Sequence, residues 1–179
     1  MPTCAPRKRI MKRYILKMRG SAKSPARATI KHIIWSYFGG LSGIAVIAYL
    51  SVLTDKPLVI PSFGASCVLT FGVPESPLAQ PRNVIGGHFV STLVGLIFFT
   101  ILGSSWWVMA LGVATAIVGM QLTRTVHPPA GADPLIVILS EASWSFIAIP
   151  VLAGSLILAF VATIFNNLSK DRAYPTYWW

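Results

Sequence analysis

The side chains able to do chemistry fall in two short stretches and at a few positions beside them. His127-Pro128-Pro129-Ala130-Gly131-Ala132-Asp133-Pro134 offers an imidazole and a carboxylate within a run that holds three prolines and one glycine. Pro61-Ser62-Phe63-Gly64-Ala65-Ser66-Cys67 offers hydroxyls and a thiol in a similarly broken setting. Arg82, His88 and Arg124 complete the set. An imidazole near a carboxylate can relay a proton around neutral pH. A glycine ahead of a helix start lets backbone amides approach a small anion. Neither stretch has the spacing of a metal centre, and Cys4 and Cys67 are too far apart to form a disulfide framework. The sequence has no HExxH, CxxC, Walker loop, nucleophile elbow or dinucleotide fingerprint. The expectation is therefore no enzyme, no cofactor and no metal.

Both stretches are embedded in apolar sequence. Of 179 residues, 54% are hydrophobic and 11% are charged, against about 25% charged in an ordinary soluble domain. That composition predicts one compact, all-α integral membrane domain. Four long transmembrane helices are expected at residues 33–53, 84–102, 106–122 and 144–165. At about 1.5 Å per residue the first reaches about 31 Å, enough for a hydrocarbon core of about 30 Å. Pro61 and Gly64 break the next apolar segment, leaving a half-helix over 67–73 with Ser66 as its N-cap. Asp133 and Pro134 likewise suit the N-cap and first position of a half-helix over 134–139. Irregular backbone at membrane depth survives only inside protein or beside water, so both breaks are candidate sites.

Charge is confined to the ends. Ten of the fifteen basic residues lie within residues 7–31, and no acid precedes Asp55. Residues 1–32 are read as a basic arm, 33–166 as the transmembrane domain and 167–179 as a short tail. A Lys/Arg-rich flank before a first span sets orientation and rests on anionic lipid headgroups, which accounts for the arm without nucleic acid. A short interfacial helix over 8–18 would turn Ile10, Tyr14, Ile15 and Met18 toward lipid. The expected location is the cell membrane, with both termini cytoplasmic.

The two broken stretches align at a shift of 67 residues, Pro61-Ser-Phe-Gly-Ala-Ser66 on Pro128-Pro-Ala-Gly-Ala-Asp133. The same shift lays Val84-Ile-Gly-Gly87 on Val151-Leu-Ala-Gly154. The expected organisation is two internal repeats, about 33–102 and about 106–166, each a long span, a broken half-helix and a long span. If the half-helices are re-entrant, four crossings make the repeats parallel. If they cross, six crossings make the repeats inverted, an architecture of transporters. Six crossings put Arg82 and Arg124 on the arm side and leave only Lys56 opposite, so the charges favour six.

Thr125-Val-His-Pro-Pro-Ala-Gly-Ala-Asp133 resembles the signature of the HPP family of integral membrane proteins. Pro61-Ser-Phe-Gly-Ala-Ser66 and Ser76-Pro-Leu-Ala-Gln-Pro-Arg-Asn-Val-Ile-Gly-Gly-His88 are similar to that family's sequence too. The resemblance covers about residues 30–166 and implies a membrane transporter, with four transmembrane helices as the family is usually described. Some members are linked to nitrite transport, which makes nitrite the substrate it suggests.

A small anion also suits the residues. Gly64, Ala65, Ser66 and Cys67 would bind it at one half-helix, and His127, Pro128, Pro129, Gly131, Ala132 and Asp133 at the other. A carboxylate at the second helix end competes with an anion, so Asp133 can instead be a structural cap or a proton or cation site. Arg82, His88 and Arg124 could attract the anion or relay protons. Plainer roles stand beside each: N-caps for Ser66 and Asp133, snorkelling for both arginines, a loop contact for His127, and helix packing for His88. Transport of a cation or neutral solute, or a membrane scaffold, are the alternative functions. The glycine-rich faces would also suit a homo-oligomer.

Overall fold

A computed structural model describes residues 5–178, with side chains from residue 9 onward. Among the described residues every regular element is helical. The arm folds into α1 (Ala5–Met18), with Ile10, Tyr14, Ile15 and Met18 all exposed. After it, α2 (Ile30–Thr54) starts where Thr29 accepts a hydrogen bond from the His32 amide. It ends where Asp55 turns left-handed at φ 53°.

The next helix, α3 (Pro61–Gly72), corrects the first half-helix. Proline occupies its first turn, where the missing N–H costs nothing, so the helix begins six residues before Cys67. Ser66 therefore lies in the second turn, where its Oγ approaches the Ser62 carbonyl at 3.2 Å, and is no N-cap. The same use of proline starts α4 (Pro81–Leu102) three residues earlier than expected. A tight turn at Gly103 leads to α5 (Trp106–Leu122).

The motif stretch is a tightened turn, Pro128–Ala132, that runs into α6 (Asp133–Leu139). Asp133 has helical backbone, φ −63° and ψ −39°, and Ala132 is the residue before the helix. Its carboxylate turns into the protein rather than onto helix-end amides, so the N-cap expectation fails here as well. The last span, Trp144–Asn167, breaks at Ile149, whose backbone is extended, and continues as α7 (Ala153–Asn167). Ile30–Thr54, Pro81–Leu102 and Trp144–Asn167 are long and apolar enough to cross a membrane. At 17 residues, α5 is a shorter apolar helix of about 25 Å. Pro128–Leu139 is a second apolar helix, shorter still.

Hydrogen bonds fix where the helix ends lie. The final carbonyls of α3 meet the first turns of α2: Ser36 donates to Phe71 O at 2.9 Å and His32 Nε2 to Gly72 O at 2.7 Å. So α3 runs back beside α2 to the end at which α2 begins, here termed the arm end. Arg82, at the start of α4, donates to Thr123 O at 3.1 Å, just past the end of α5. Asn83 donates to Val126 O at 2.9 Å. The motif stretch therefore leaves from the arm end and runs back along α5, where Gly112 faces Pro134 and Ile138.

Phe63, Phe71, Ile47, Val151 and Leu158 are fully buried and form the apolar core between α2, α3 and the last span. Two glycines set close approaches. A methyl at Gly87 would meet His127 Cβ at 2.6 Å and Thr125 O at 2.9 Å. One at Gly154 would meet the Leu58 carbonyl at 2.7 Å and the Phe63 ring.

Candidate functional site

Three helices and one extended residue bring their polar side chains to one buried point. Ser62 and Ser66 stand one turn apart on α3, and His88 and Thr92 one turn apart on α4, so each pair shares a face. His127 comes from the stretch before Pro128, held against α4 by Gly87, and Asp133 from the first turn of α6. Ser66, His88, Thr92, His127 and Asp133 are 0% exposed.

Asp133 is held by three donors. Ser62 Oγ donates to Oδ1 at 2.7 Å, His88 Nδ1 to Oδ2 at 2.7 Å, and Thr92 Oγ1 to Oδ2 at 3.3 Å. On the far side of its ring, His88 Nε2 lies 2.8 Å from Ser66 Oγ. The same oxygen lies 2.8 Å from His127 Nε2. The other nitrogen of His127, Nδ1, donates to the Leu78 carbonyl at 2.7 Å. A continuous line thus runs from Asp133 through His88, Ser66 and His127 to the turn between α3 and α4. Among the described residues no buried side-chain nitrogen or oxygen lacks a partner.

This line unites four of the expected residues, Ser66, His88, His127 and Asp133, which span 67 positions of sequence. The others sit elsewhere. Gly64 and Ala65 are exposed on the outer side of α3, where a methyl at Gly64 would touch nothing. Gly64 lines an open cleft between α2 and α3 with Tyr37, Gly40 and Cys67, apart from the polar line. Cys67 joins the apolar core cluster, not the polar line. Pro128 is exposed, Pro129 buried, and Gly131 and Ala132 half-buried; they shape the turn that carries Asp133 inward. Arg82 caps the carbonyl at the end of α5, and Arg124 is exposed with φ 58°. Neither arginine reaches the buried cluster. Ser62, Thr92 and the Leu78 carbonyl were not anticipated. The i, i+4 spacing of Ser62 with Ser66, and of His88 with Thr92, is the signal that could have found the first two.

A second polar group holds the arm end of α3. Arg172 donates to Phe71 O at 3.0 Å and to Asn166 Oδ1 at 2.9 Å, and Asn166 Nδ2 donates to Thr70 O at 3.0 Å. These are carbonyls that a helix end leaves unpaired. Burial lowers the pKa of Arg172, against a smaller opposing effect of Glu75. Lys31 pairs with Asp171 beside it. Tyr174, in the tail, donates its hydroxyl to Ala79 O at 2.7 Å, and burial raises its pKa.

The family model described as the HPP transmembrane region matches residues 25–175. A transmembrane protein of Dictyostelium discoideum is 43% identical over 178 residues, 93% of this chain and 57% of the relative. A second from the same organism is 40% identical over 172 residues, 89% of this chain and 60% of the relative. The chain thus spans less than two thirds of the length of these relatives. No solved structure matches it.

Proposed function

The chain belongs to the HPP transmembrane family, and from that premise we propose that it is a proton-linked membrane transporter of a small inorganic anion, with nitrite as the first candidate. The observation that carries this is the fully buried Asp133–His88 pair, bridged by hydroxyls from α3 and α4. Ionisable groups at membrane depth are expensive to keep and mark proton and ion pathways. Asp133 Oδ1 rests on Ser62, in the first turn of α3, where a helix start favours negative charge. A carboxylate in that place excludes an anion, and a proton that neutralises it lets an anion take its position. Proton and anion then travel together.

Six crossings and inverted repeats complete the proposal. At the 67-residue shift, Pro61–Gly72 falls on Pro128–Leu139 at both ends. The close contacts are reciprocal as well: Gly87 meets Thr125 O, and its equivalent Gly154 meets Leu58 O, the equivalent of Thr125 O. Reciprocity of this kind is what a two-fold axis produces. With α3 returning to the arm end and the motif stretch leaving it, the axis lies in the membrane plane, as in inverted-repeat transporters. Arg82, Arg124, Lys170 and Arg172 then share the arm end, with Lys56 opposite. That bias supports a cytoplasmic arm end.

Nitrite uptake into proteoliposomes under an imposed pH gradient tests the function, with protein-free vesicles correcting for permeation by nitrous acid. Uptake above those controls and dependent on the gradient is expected, and Asp133→Asn should abolish the dependence. Flux equal to the protein-free vesicles would remove nitrite as substrate, and a panel of solutes without any flux would leave a scaffold.

A further inference from the structure

We propose that Asp133, His88, Ser66 and His127 form a directional proton relay, which stores one transferable proton on the Asp133–His88 pair and passes it through the Ser66 hydroxyl to His127 at the arm end. The relay takes its purpose from the proton-linked transport proposed above, but its geometry stands apart from any substrate.

The polarity of the hydrogen bonds carries the argument. The Leu78 carbonyl can only accept, so His127 Nδ1 bears a hydrogen. Ser66 has one hydroxyl hydrogen, and the two imidazole nitrogens, each 2.8 Å from its oxygen, lie nearer than the Ser62 carbonyl at 3.2 Å and take that hydrogen in preference. Ser66 can donate to one of them and must accept from the other. One further hydrogen lies between His88 Nδ1 and Asp133 Oδ2. The line therefore has four contacts, each needing one hydrogen. Two neutral imidazoles, one hydroxyl and an ionised carboxylate supply three. The complete line thus holds one extra proton and is electrically neutral.

Those hydrogens have two arrangements on the same heavy atoms. In the first, His88 is an imidazolium beside the Asp133 carboxylate, His88 Nε2 donates to Ser66, and Ser66 donates to His127. In the second, the His88 Nε2–H bond has broken and a new O–H bond has formed on Ser66. The original hydroxyl hydrogen has moved to His127 Nε2, and Ser66 now donates back to His88. Coulomb attraction favours the first arrangement, because charge stays beside charge. From the second, His127 gives its Nδ1 hydrogen to a solvent water that takes the place of the half-buried Leu78 carbonyl, and the line is left with the single negative charge of Asp133. A proton taken up at the Asp133 end restores the count, and the first arrangement returns once His127 has exchanged its hydrogen from Nε2 to Nδ1 and the Ser66 hydroxyl has turned back to His127.

Little else ionisable faces the line. The sequences of α5 and α7 contain no titratable side chain, α3 contains only Cys67, and α6 only Asp133. Besides His88, α4 carries Arg82, which is turned to Thr123 O, and the turn after α3 carries the exposed Glu75. In α2, His32 is spent on the end of α3, Lys31 pairs with Asp171, and Tyr37 and Tyr49 are exposed; in the tail, Tyr174 and Tyr177 donate to the carbonyls of Ala79 and Pro77.

Nitrogen-15 NMR of histidine-labelled protein in lipid bilayers reads the hydrogen on each ring nitrogen. The expected spectrum has His127 with hydrogen on Nδ1 and His88 with both nitrogens protonated or sharing a proton with Asp133. Raising the pH should change both rings in one step. Two singly protonated rings that titrate independently would overturn the relay. Ser66→Ala should uncouple the two rings and lower proton-linked flux by about tenfold or more, while Ser66→Thr, which keeps the hydroxyl, restores both. Unchanged coupling in Ser66→Ala would equally overturn it, and if that variant does not fold the wild-type spectrum decides. Coupled rings without nitrite flux leave the relay standing and remove the proposed substrate. Proton-linked flux with independent rings does the reverse.

Discussion

Asp133 is a carboxylate with no exposure, held by an imidazole and two hydroxyls. Removing one partner of a buried pair strands the other, at a cost of about 3–5 kcal/mol. Asp133→Ala should therefore lower stability by that amount, read from thermal unfolding of the purified protein in detergent. Thr92→Val removes only the 3.3 Å hydrogen bond and should cost about 1 kcal/mol. Equal losses for the two variants would show that His88 and Asp133 are not paired as charges. The tail gives a pH prediction. Burial holds the Tyr174 phenol above its ordinary pKa of about 10. The phenol ionises first in the unfolded chain, so its contribution is intact below about pH 10 and is lost as pH rises through the folded value. Wild type should lose more melting temperature than Tyr174→Phe between about pH 9 and pH 11.

The elements act through their starts and their close approaches. Prolines at the starts of α3 and α4 set the first turns without losing a hydrogen bond, which leaves the following i, i+4 polar faces in register with one another. Close approach at Gly87 then places His127 on that shared face. A methyl there meets backbone, not a yielding side-chain tip, so Gly87→Ala must push residues 125–127 away from α4. It should destabilise by about 1–3 kcal/mol, as overpacking does. The His127 ring signal should change with it. Gly64→Ala meets nothing and raises helix propensity, so it should leave stability unchanged or slightly higher. A large loss there would place Gly64 at a contact with another molecule.

For the whole molecule, the decisive property is the end at which each broken element finishes. Since α3 finishes at the first turns of α2, Glu75 belongs to the arm end, and Glu141, beyond α6, to the opposite end. With Cys4 and Cys67 replaced, single cysteines at Glu75 and Glu141 should react with an impermeant reagent from opposite sides of an intact membrane. Labelling of both from one side would remove the six-crossing arrangement and the inverted repeat with it.

Much of this was decided by sequence alone. A chain that is 54% hydrophobic and has ten basic residues ahead of its first long apolar run had to enter a membrane with its charge at one end. The breaks at Pro61 and Pro128, and the match between them, were legible because prolines and glycines punctuate any helix. The residue set Ser66, His88, His127 and Asp133 was legible because polar groups are so rare in apolar spans. What those residues do to one another was not. Read as a breaker, Pro61 hid a helix that it starts, and Ser66 and Asp133 were assigned to caps that local spacing suggested and the fold does not use. Hydrogen-bond partners 22 to 71 positions apart depend on which helix faces meet. Only tertiary packing, through close approaches such as that at Gly87, closed four separate polar side chains into one line.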